Sequence, residues 1–201
     1  MDTKALQKIQ YGLFVLSAHQ DGKDNACIVN TVVQVTSSPM CVAVTVNKQN
    51  YTHDMIAATN KFNISIIDVT APFGIFERFG FQSGRTADKF DGFEGAVRTG
   101  NGLIRLTEYA CAFISGWVVS SVDLGTHTMF IARVSDCGVL GDNEAMTYNY
   151  YHANVKPKPQ ASAAKGFRCK ICGYIYEGDV LPADFVCPLC KHGAEDFERI
   201  E

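Results

Sequence analysis

Paired cysteines near the end of the chain are the residues whose type and spacing most clearly suggest chemistry. Cys169 and Cys172 form one C-x2-C pair, Cys187 and Cys190 form a second, and 14 residues, 173–186, separate the pairs. Two such pairs can place four thiolates in a tetrahedron around one metal ion. On spacing alone, a structural zinc site is the default interpretation of this arrangement.

The residues around these cysteines favour iron over zinc. Cys-Gly-Tyr at 172–174 and Cys-Pro-Leu-Cys-Lys at 187–191 resemble the two metal-binding knuckles of rubredoxin. The short separation between the pairs resembles the rubredoxin-like module of rubrerythrins. Aromatic residues that could exclude water from the metal, and so influence its reduction potential, are Phe167, Tyr174, Tyr176, Phe185 and Phe197. The resemblance implies one redox-active iron held by all four cysteines, which would stabilise a tail too small to rely on its own core.

A change of composition separates this tail from the rest of the chain. Residues 156–165 contain two prolines among small and basic residues, with no large hydrophobic side chain, which is typical of a linker. We therefore predict a domain over residues 1–155, a linker over 156–165 and a rubredoxin-like domain over 166–201. The first of these is long enough to bury a sizeable core.

The first domain is predicted to be mainly β. Runs rich in β-branched and other apolar residues predict strands over 12–18, 40–46, 62–67, 110–122 and 128–134. Two short helices are predicted over 52–59 and 72–79, the second with Pro72 at its start. Several strands with few helices indicate a closed barrel.

Three polar segments of this domain could bind a cofactor, although each also has an ordinary structural explanation. Residues 25–31 combine amide and small side chains that could hydrogen-bond a flat heterocycle, or they could form a polar turn. Residues 46–54 join a strand to a helix, whose free N–H groups and Lys48 suit a phosphate, unless the segment is a plain N-cap. Residues 79–90 form a glycine-punctuated polar loop, and His127 begins a strand, where a surface histidine is the commoner explanation.

Taken together, the order and the residues of these segments resemble those of the flavin reductase-like, FMN-binding split-barrel family over about residues 9–152. The resemblance implies a split β-barrel that binds one FMN per subunit in a homodimer. The isoalloxazine contacts it implies are Ala26, Cys27, Ile28, Asn30 and Thr31. The phosphate contacts it implies are Lys48, Asn50, Tyr51 and Thr52, and the residues closing over the cofactor are Ser83, Gly84, Arg85 and Lys89. The family's nicotinamide-side histidine matches His127, and its aromatic stretch near the flavin matches Tyr148, Tyr150 and Tyr151.

A flavin domain joined to a rubredoxin tail resembles the high-molecular-weight rubredoxins of anaerobic bacteria. NAD(P)H gives up two electrons as hydride, a rubredoxin iron carries one, and flavin converts between the two. We therefore predict an NAD(P)H oxidoreductase that passes electrons through FMN to its own iron. The resemblance implies a flavodiiron protein that reduces nitric oxide or dioxygen as the acceptor.

Three other functions stay open on the residues alone. The chain could be a free flavin reductase that releases reduced FMN, or a non-enzymatic flavin and iron electron carrier. It could also be a split-barrel binding protein with a structural zinc site. The choice between NADH and NADPH also stays open, because the sequence contains no glycine-rich Rossmann turn.

Composition excludes several other classes. The formal net charge of −3 gives no reason to expect a nucleic acid or an anionic membrane as partner, and no apolar run is long enough for a membrane span. The first residues, 1–4, lack the apolar core of a signal peptide. The remaining cysteines stand singly at 27, 41, 111 and 137, as is typical of buried thiols in a reducing compartment. We therefore predict a cytoplasmic protein without disulfides.

Overall fold

The protein forms two compact units, which a computed structural model describes over residues 2–157, 166–170, 173–187 and 193–200. The first unit spans residues 1–156 and the second spans 157–201. Most of the predicted linker, residues 158–165, lies outside the described residues, as do Cys172 and Cys190. In the described part of the chain, no helix has the length and apolar character that crossing a bilayer requires.

An antiparallel sheet of seven strands is the frame of the first unit. Its strands are β1 (Phe14–Gln20), β2 (Lys23–Val29), β3 (Val32–Ser37), β4 (Met40–Asn47), β5 (Lys61–Ile67), β8 (Ala110–Asp123) and β9 (His127–Val139), while β6 (Ala96–Arg98) and β7 (Ile104–Leu106) form a separate hairpin. The order across the sheet is β2-β1-β5-β8-β9-β4-β3, so β2 and β3 follow one another in sequence but lie at opposite edges. Side chains of β1, β2, β4, β5 and β9 nevertheless share one core. The sheet is therefore curled into the expected split barrel, with its seam between β2 and β3.

The sequence-based strand predictions are confirmed for β1, β4, β5, β8 and β9, although β9 continues to Val139. The turn alternative for residues 25–31 is wrong for its first part, because β2 runs from Lys23 to Val29. The reversal lies earlier, at Asp21 and Gly22, whose φ angles are 51° and 78°. Two consecutive residues with positive φ are what a two-residue hairpin turn requires.

Two helices cover the barrel, α1 (Tyr51–Thr59) and α2 (Phe73–Gly80). Met55 and Ile56 of α1 are fully buried in the barrel core, and the helix is capped after Thr59 by Asn60, which adopts a left-handed conformation. The buried face of α2 packs with Leu13 and Val15 of the neighbouring core. A 3-10 helix (Thr3–Lys8), a helical turn (Tyr148–Tyr150) and a π-helical turn (Tyr151–Val155) complete the unit.

The second unit has a three-stranded sheet and a small aromatic core. Its strands are β10 (Gly166–Cys169), β11 (Ile175–Tyr176) and β12 (Phe197–Ile200), in the order β11-β10-β12, with a 3-10 helix (Ala194–Asp196) before the last strand. Cys169 ends β10, and its register partner across β12 is Phe197. The sheet therefore delivers one of the paired cysteines directly into the core.

Candidate functional site

A cavity of about 390 Å³ lies where the β2–β3 connection, the end of β4 and the β8–β9 turn meet. Its wall is formed by Ile28, Val29, Asn30, Thr31, Thr45, Asn47, Asn50, Leu124 and His127. The volume is within the range of ligand sites, about 300–1,000 Å³. Apolar side chains with amide and hydroxyl groups beside them suit a flat heterocycle whose edge forms hydrogen bonds.

Backbone pairing fixes the relative positions of the three parts of this wall. The Thr31 hydroxyl donates to the carbonyl of Thr45 over 3.0 Å, and the Thr45 N–H donates to the carbonyl of Thr31 over 3.2 Å. His127, the first residue of β9, is paired with Asn47, the last residue of β4. The β4–β9 ladder thus brings the imidazole to the cavity, with Nδ1 2.8 Å from the hydroxyl of Thr126.

Lys48 holds the β8–β9 turn against the end of β4. Its N–H donates to the carbonyl of Thr126 over 3.0 Å, and its ammonium lies 2.7 Å from the Asp123 carboxylate. The hydrogen bond from Lys48 keeps the pKa of Asp123 below its ordinary value. The Lys48 ammonium is therefore engaged with a carboxylate and does not line the cavity.

Two cations and one carboxylate lie at the first turn of α1. The Arg85 guanidinium donates to the Asp54 carboxylate over 2.6 Å and lies 5.0 Å from the centre of the Tyr51 ring. The Lys23 ammonium lies 5.1 Å from the same ring. Asn50 precedes the helix but forms no side-chain cap with it. The opening amides of α1, with these two cations, are a suitable place for a phosphate.

Four of the predicted side chains lie in the core instead of the cavity wall, namely Ala26, Cys27, Thr52 and Lys89. Lys89 is 3% exposed, and its ammonium donates to the carbonyls of Ala26 and Phe79 over 2.8 and 2.9 Å. Burial lowers the pKa of Lys89. Burial raises the pKa of the Cys27 thiol, against the opposing effects of a Thr52 hydrogen bond and the Lys89 charge. Thr52 is fully buried.

The structure thus brings a subset of the predicted residues together. Those in the cavity wall are Ile28, Asn30, Thr31, Asn50 and His127. Tyr51 and Arg85 lie over the first turn of α1, Ser83 is exposed, and Tyr150 is 38% exposed. Four wall residues were not named as individual contacts, which are Val29, Thr45, Asn47 and Leu124. Val29 and Asn47 lie inside the predicted segments 25–31 and 46–54, whereas Thr45 and Leu124 lie outside the three polar segments predicted to bind a cofactor.

The second unit gathers thiols and aromatic rings into one cluster. Cys169 and Cys187 are 1% and 0% exposed and share this core with Phe197. The rings of Phe167, Tyr174, Tyr176 and Phe185 pack against them, together with Leu181. Gly173, with a φ of 80°, donates its N–H to the carbonyl of Cys169 over 2.8 Å. Two buried sulfurs inside a water-excluding aromatic shell fit a thiolate-bound iron.

Each of the two units matches a known protein family. The flavin reductase like domain family matches residues 6–158, and the rubrerythrin, rubredoxin-like domain family matches residues 167–198. The chain therefore belongs to the flavin reductase-like family and carries a rubredoxin-like domain behind the flavin domain. It is an NAD(P)H oxidoreductase that uses a flavin and iron.

Individual relatives combine or share these parts. The chain is 37% identical to the High molecular weight rubredoxin of Moorella thermoacetica, over 100% of both proteins. It is 38% identical to the Ferric-chelate reductase (NAD(P)H) of Archaeoglobus fulgidus, over 85% of this chain and 100% of that protein. Among solved structures, the NADH:FAD oxidoreductase SgcE6 of Streptomyces globisporus C-1027 has a TM-score of 0.65 at 19% identity, covering 71% of this chain and 84% of that one. This last likeness concerns the fold alone.

Proposed function

We propose that the chain takes hydride from NAD(P)H at an FMN in the cavity and delivers single electrons to its own rubredoxin iron and then to an acceptor protein. The observation that carries this proposal is the presence, on one chain, of a flavin reductase-like domain and a rubredoxin-like domain. A bound flavin accepts two electrons as hydride and releases them singly, which matches the one-electron capacity of the iron.

The cavity residues suggest how FMN is held. The isoalloxazine would lie against Ile28, with Asn30 and Thr31 at its polar edge, and His127 would lie on the nicotinamide side. The phosphate would lie at the first turn of α1, beside Asn50 and Arg85. Lys48 could reach it only by leaving Asp123, and Arg85 only by sharing or leaving Asp54. FMN needs just this one phosphate position, so we propose FMN over FAD as the resident flavin.

Substitution of Arg85 and Lys48 tests the phosphate position. Each is paired with a carboxylate in the structure, Arg85 with Asp54 and Lys48 with Asp123, so each would have to turn from that carboxylate to the phosphate. For a cation that does so, substitution by Ala should weaken FMN binding by about 1–3 kcal/mol, the range for one charge-assisted hydrogen bond. Fluorescence titration of the apoprotein measures both affinities, and unchanged affinity in both variants would return this segment to the role of an ordinary helix start.

Anaerobic stopped-flow spectroscopy tests the electron path, because the flavin and ferric iron bands can be followed separately. FMN-depleted protein should keep its ferric band after addition of NADH or NADPH, and added FMN should restore bleaching. Bleaching at the normal rate without flavin would refute the path. A free flavin reductase would instead release reduced FMN, so the flavin band would bleach while the ferric iron band stayed largely unchanged.

The acceptor is proposed to be a flavodiiron protein that reduces nitric oxide or dioxygen, which would make the chain part of a nitric oxide detoxification system in the cytoplasm. A one-electron iron carrier at the end of the chain supports a protein acceptor. Anaerobic mixtures with a purified flavodiiron protein should consume nitric oxide at the expense of NADH. Protein lacking residues 166–201 should support this consumption at a much lower rate.

The first unit is proposed to form a homodimer. Exposed apolar side chains lie on β3, at Val33 and Val35, and on β8, at Trp117 and Val119, with exposures between 48% and 58%. A second copy of the chain that covers them would remove these patches from water. Light scattering should give a dimer mass, and Val119→Glu should shift it toward the monomer.

A second acceptor, a ferric chelate, is favoured by the 38% identity to a ferric-chelate reductase whose full length is matched. The assay is NADH-dependent reduction of ferric EDTA, read with a ferrous indicator. If residues 166–201 are needed only for transfer to a protein, their removal should leave this activity intact.

A further inference from the structure

Asn25 lies at a junction that the cofactor assignment does not use. It is 2% exposed in the middle of β2, where its register partner is Ala18 of β1. Its Nδ2 donates to the hydroxyl of Thr52, 2.9 Å away and fully buried. A buried amide that reaches from a strand to the first turn of α1 is unusual enough to need a reason, because such a group is costly unless it is fully paired.

The other end of the Asn25 amide faces Gly84. In the described part of the chain, Oδ1 has no hydrogen-bond partner, and a Cβ placed on Gly84 would lie 2.0 Å from it. The loop backbone therefore rests directly on the Asn25 amide, and only a glycine permits this approach. The φ of Gly84 is not in the left-handed region, so the close contact, not the backbone conformation, requires the glycine.

The residue after Gly84 is the cation over the proposed phosphate position. Arg85 reaches Asp54 and Tyr51 in the first turn of α1. Asn25 therefore contacts both halves of that position, the helix through Thr52 and the loop through Gly84. Thr52 accepts from Asn25 and is also the hydrogen-bond partner of the Cys27 thiol, so its hydroxyl is held in the core on both sides.

We propose that Asn25 is a positioning residue that sets the distance between the first turn of α1 and Arg85, and thereby the affinity for the phosphate of the flavin. This inference rests on the proposed function, since it deepens the phosphate position described there. It assigns to Asn25 no contact with the flavin ring. Removal of the amide should therefore affect a phosphorylated flavin and spare an unphosphorylated one.

Comparison of FMN with riboflavin tests the proposal. In Asn25→Ala, the Kd for FMN should rise about tenfold, the factor equivalent to about 1.4 kcal/mol, while the Kd for riboflavin should change less than about twofold. Equal losses for both flavins would mean that Asn25 only stabilises the domain, and no loss for either would mean that it positions nothing. Either result overturns the proposal.

A double-mutant cycle provides a readout that does not depend on the stability of one variant. Gly84→Ala should weaken FMN binding strongly in the natural background, because the new methyl group collides with Asn25. The same change in the Asn25→Ala background should have little further effect. Gly141→Ala, with nothing within 4 Å of its added Cβ, is the matched control. Additive effects of the two changes would contradict the contact.

The proposed function has its own separate failure. If the natural protein binds FMN no more tightly than riboflavin, the phosphate position itself is wrong, and the role of Asn25 is wrong with it. If the natural protein prefers FMN and Asn25→Ala keeps that preference, only the positioning role fails.

Discussion

Lys89 was predicted to bind the cofactor, but its ammonium is buried, so substitution can show whether this lysine stabilises the fold instead. Its hydrogen bonds to the carbonyls of Ala26 and Phe79 join β2 to the end of α2. Lys89→Met keeps most of the side-chain volume but leaves both carbonyls without this donor. Hydrogen bonds to a charged group contribute about 1.5–3 kcal/mol each. Removing a poorly solvated charge offsets part of that loss, so we expect a net destabilisation of about 2–4 kcal/mol.

The expected change is large enough to measure by thermal unfolding. For a domain of this size, each kcal/mol corresponds to about 2–4 °C in Tm, so Lys89→Met should lower the Tm by about 4–16 °C. Trp117 is the single tryptophan of the chain and lies on β8, so its fluorescence follows the first unit alone. Protein stripped of flavin should be used, since loss of cofactor binding then contributes nothing to the result.

An exposed lysine is the matched control. Lys8 is exposed at the end of the first 3-10 helix, and Lys8→Met should leave the Tm almost unchanged. If Lys89→Met shifts the Tm of the flavin-free protein by no more than this control, the two buried hydrogen bonds do not stabilise the fold, and the reasoning is refuted.

Three further predictions concern Cys187, Asp24 and Cys137. Cys187→Ser should abolish the red ferric chromophore while flavin binding persists. Metal analysis of the natural protein made with iron available should find about one iron per chain. Zinc in the site under those conditions would refute the redox role of the second unit. Partial burial tends to raise the pKa of Asp24, but hydrogen bonds from Arg98 and His19 outweigh it and hold the pKa below 3.8. The carboxylate therefore stabilises the fold above pH 3.8 and loses this effect as the pH falls, so Asp24→Asn should flatten the acid side of a Tm against pH curve. Cys137 is exposed, whereas Cys27 is buried and burial raises the pKa of its thiol, so iodoacetamide should label Cys137 faster than Cys27. Peptide mass spectrometry would show the order, and faster labelling of Cys27 would contradict its burial.

Local patterns were sufficient to predict much of the fold. The β-branched run of β4 and the alternation in β5 predicted strands that the structure contains, and α2 begins one residue later than predicted, with Pro72 as its N-cap. β2 was not predicted, because its amide and small residues are poor strand formers by type. The Asp-Gly pair at 21–22 was the available signal, since such a pair between two runs predicts a hairpin.

The site was predictable in part, for a physical reason. Residues 28–31 and Asn50 line the cavity. Their segments could be predicted because each contains polar or small residues that follow one another closely in sequence at the end of a strand. The partner of each charged side chain was not predictable. Lys48 pairs with Asp123, 75 positions away, and Asn25 with Thr52, 27 positions away. Such pairings depend on which strands become neighbours, and composition does not contain that information.

The make-up of the second core has a consequence for the life of the protein in a cell short of iron. Among the residues that the structure describes, its buried members are two cysteines and one phenylalanine, packed against further aromatic rings, so there is little apolar area to hold the unit folded if no metal is bound. Chains synthesised during iron starvation would carry a folded flavin unit and a tail whose aromatic residues are open to proteases. Trimming of that tail would leave a flavin reductase without its one-electron outlet. The amount of full-length protein would then follow the iron supply, and degradation would regulate the electron flow without any dedicated sensor.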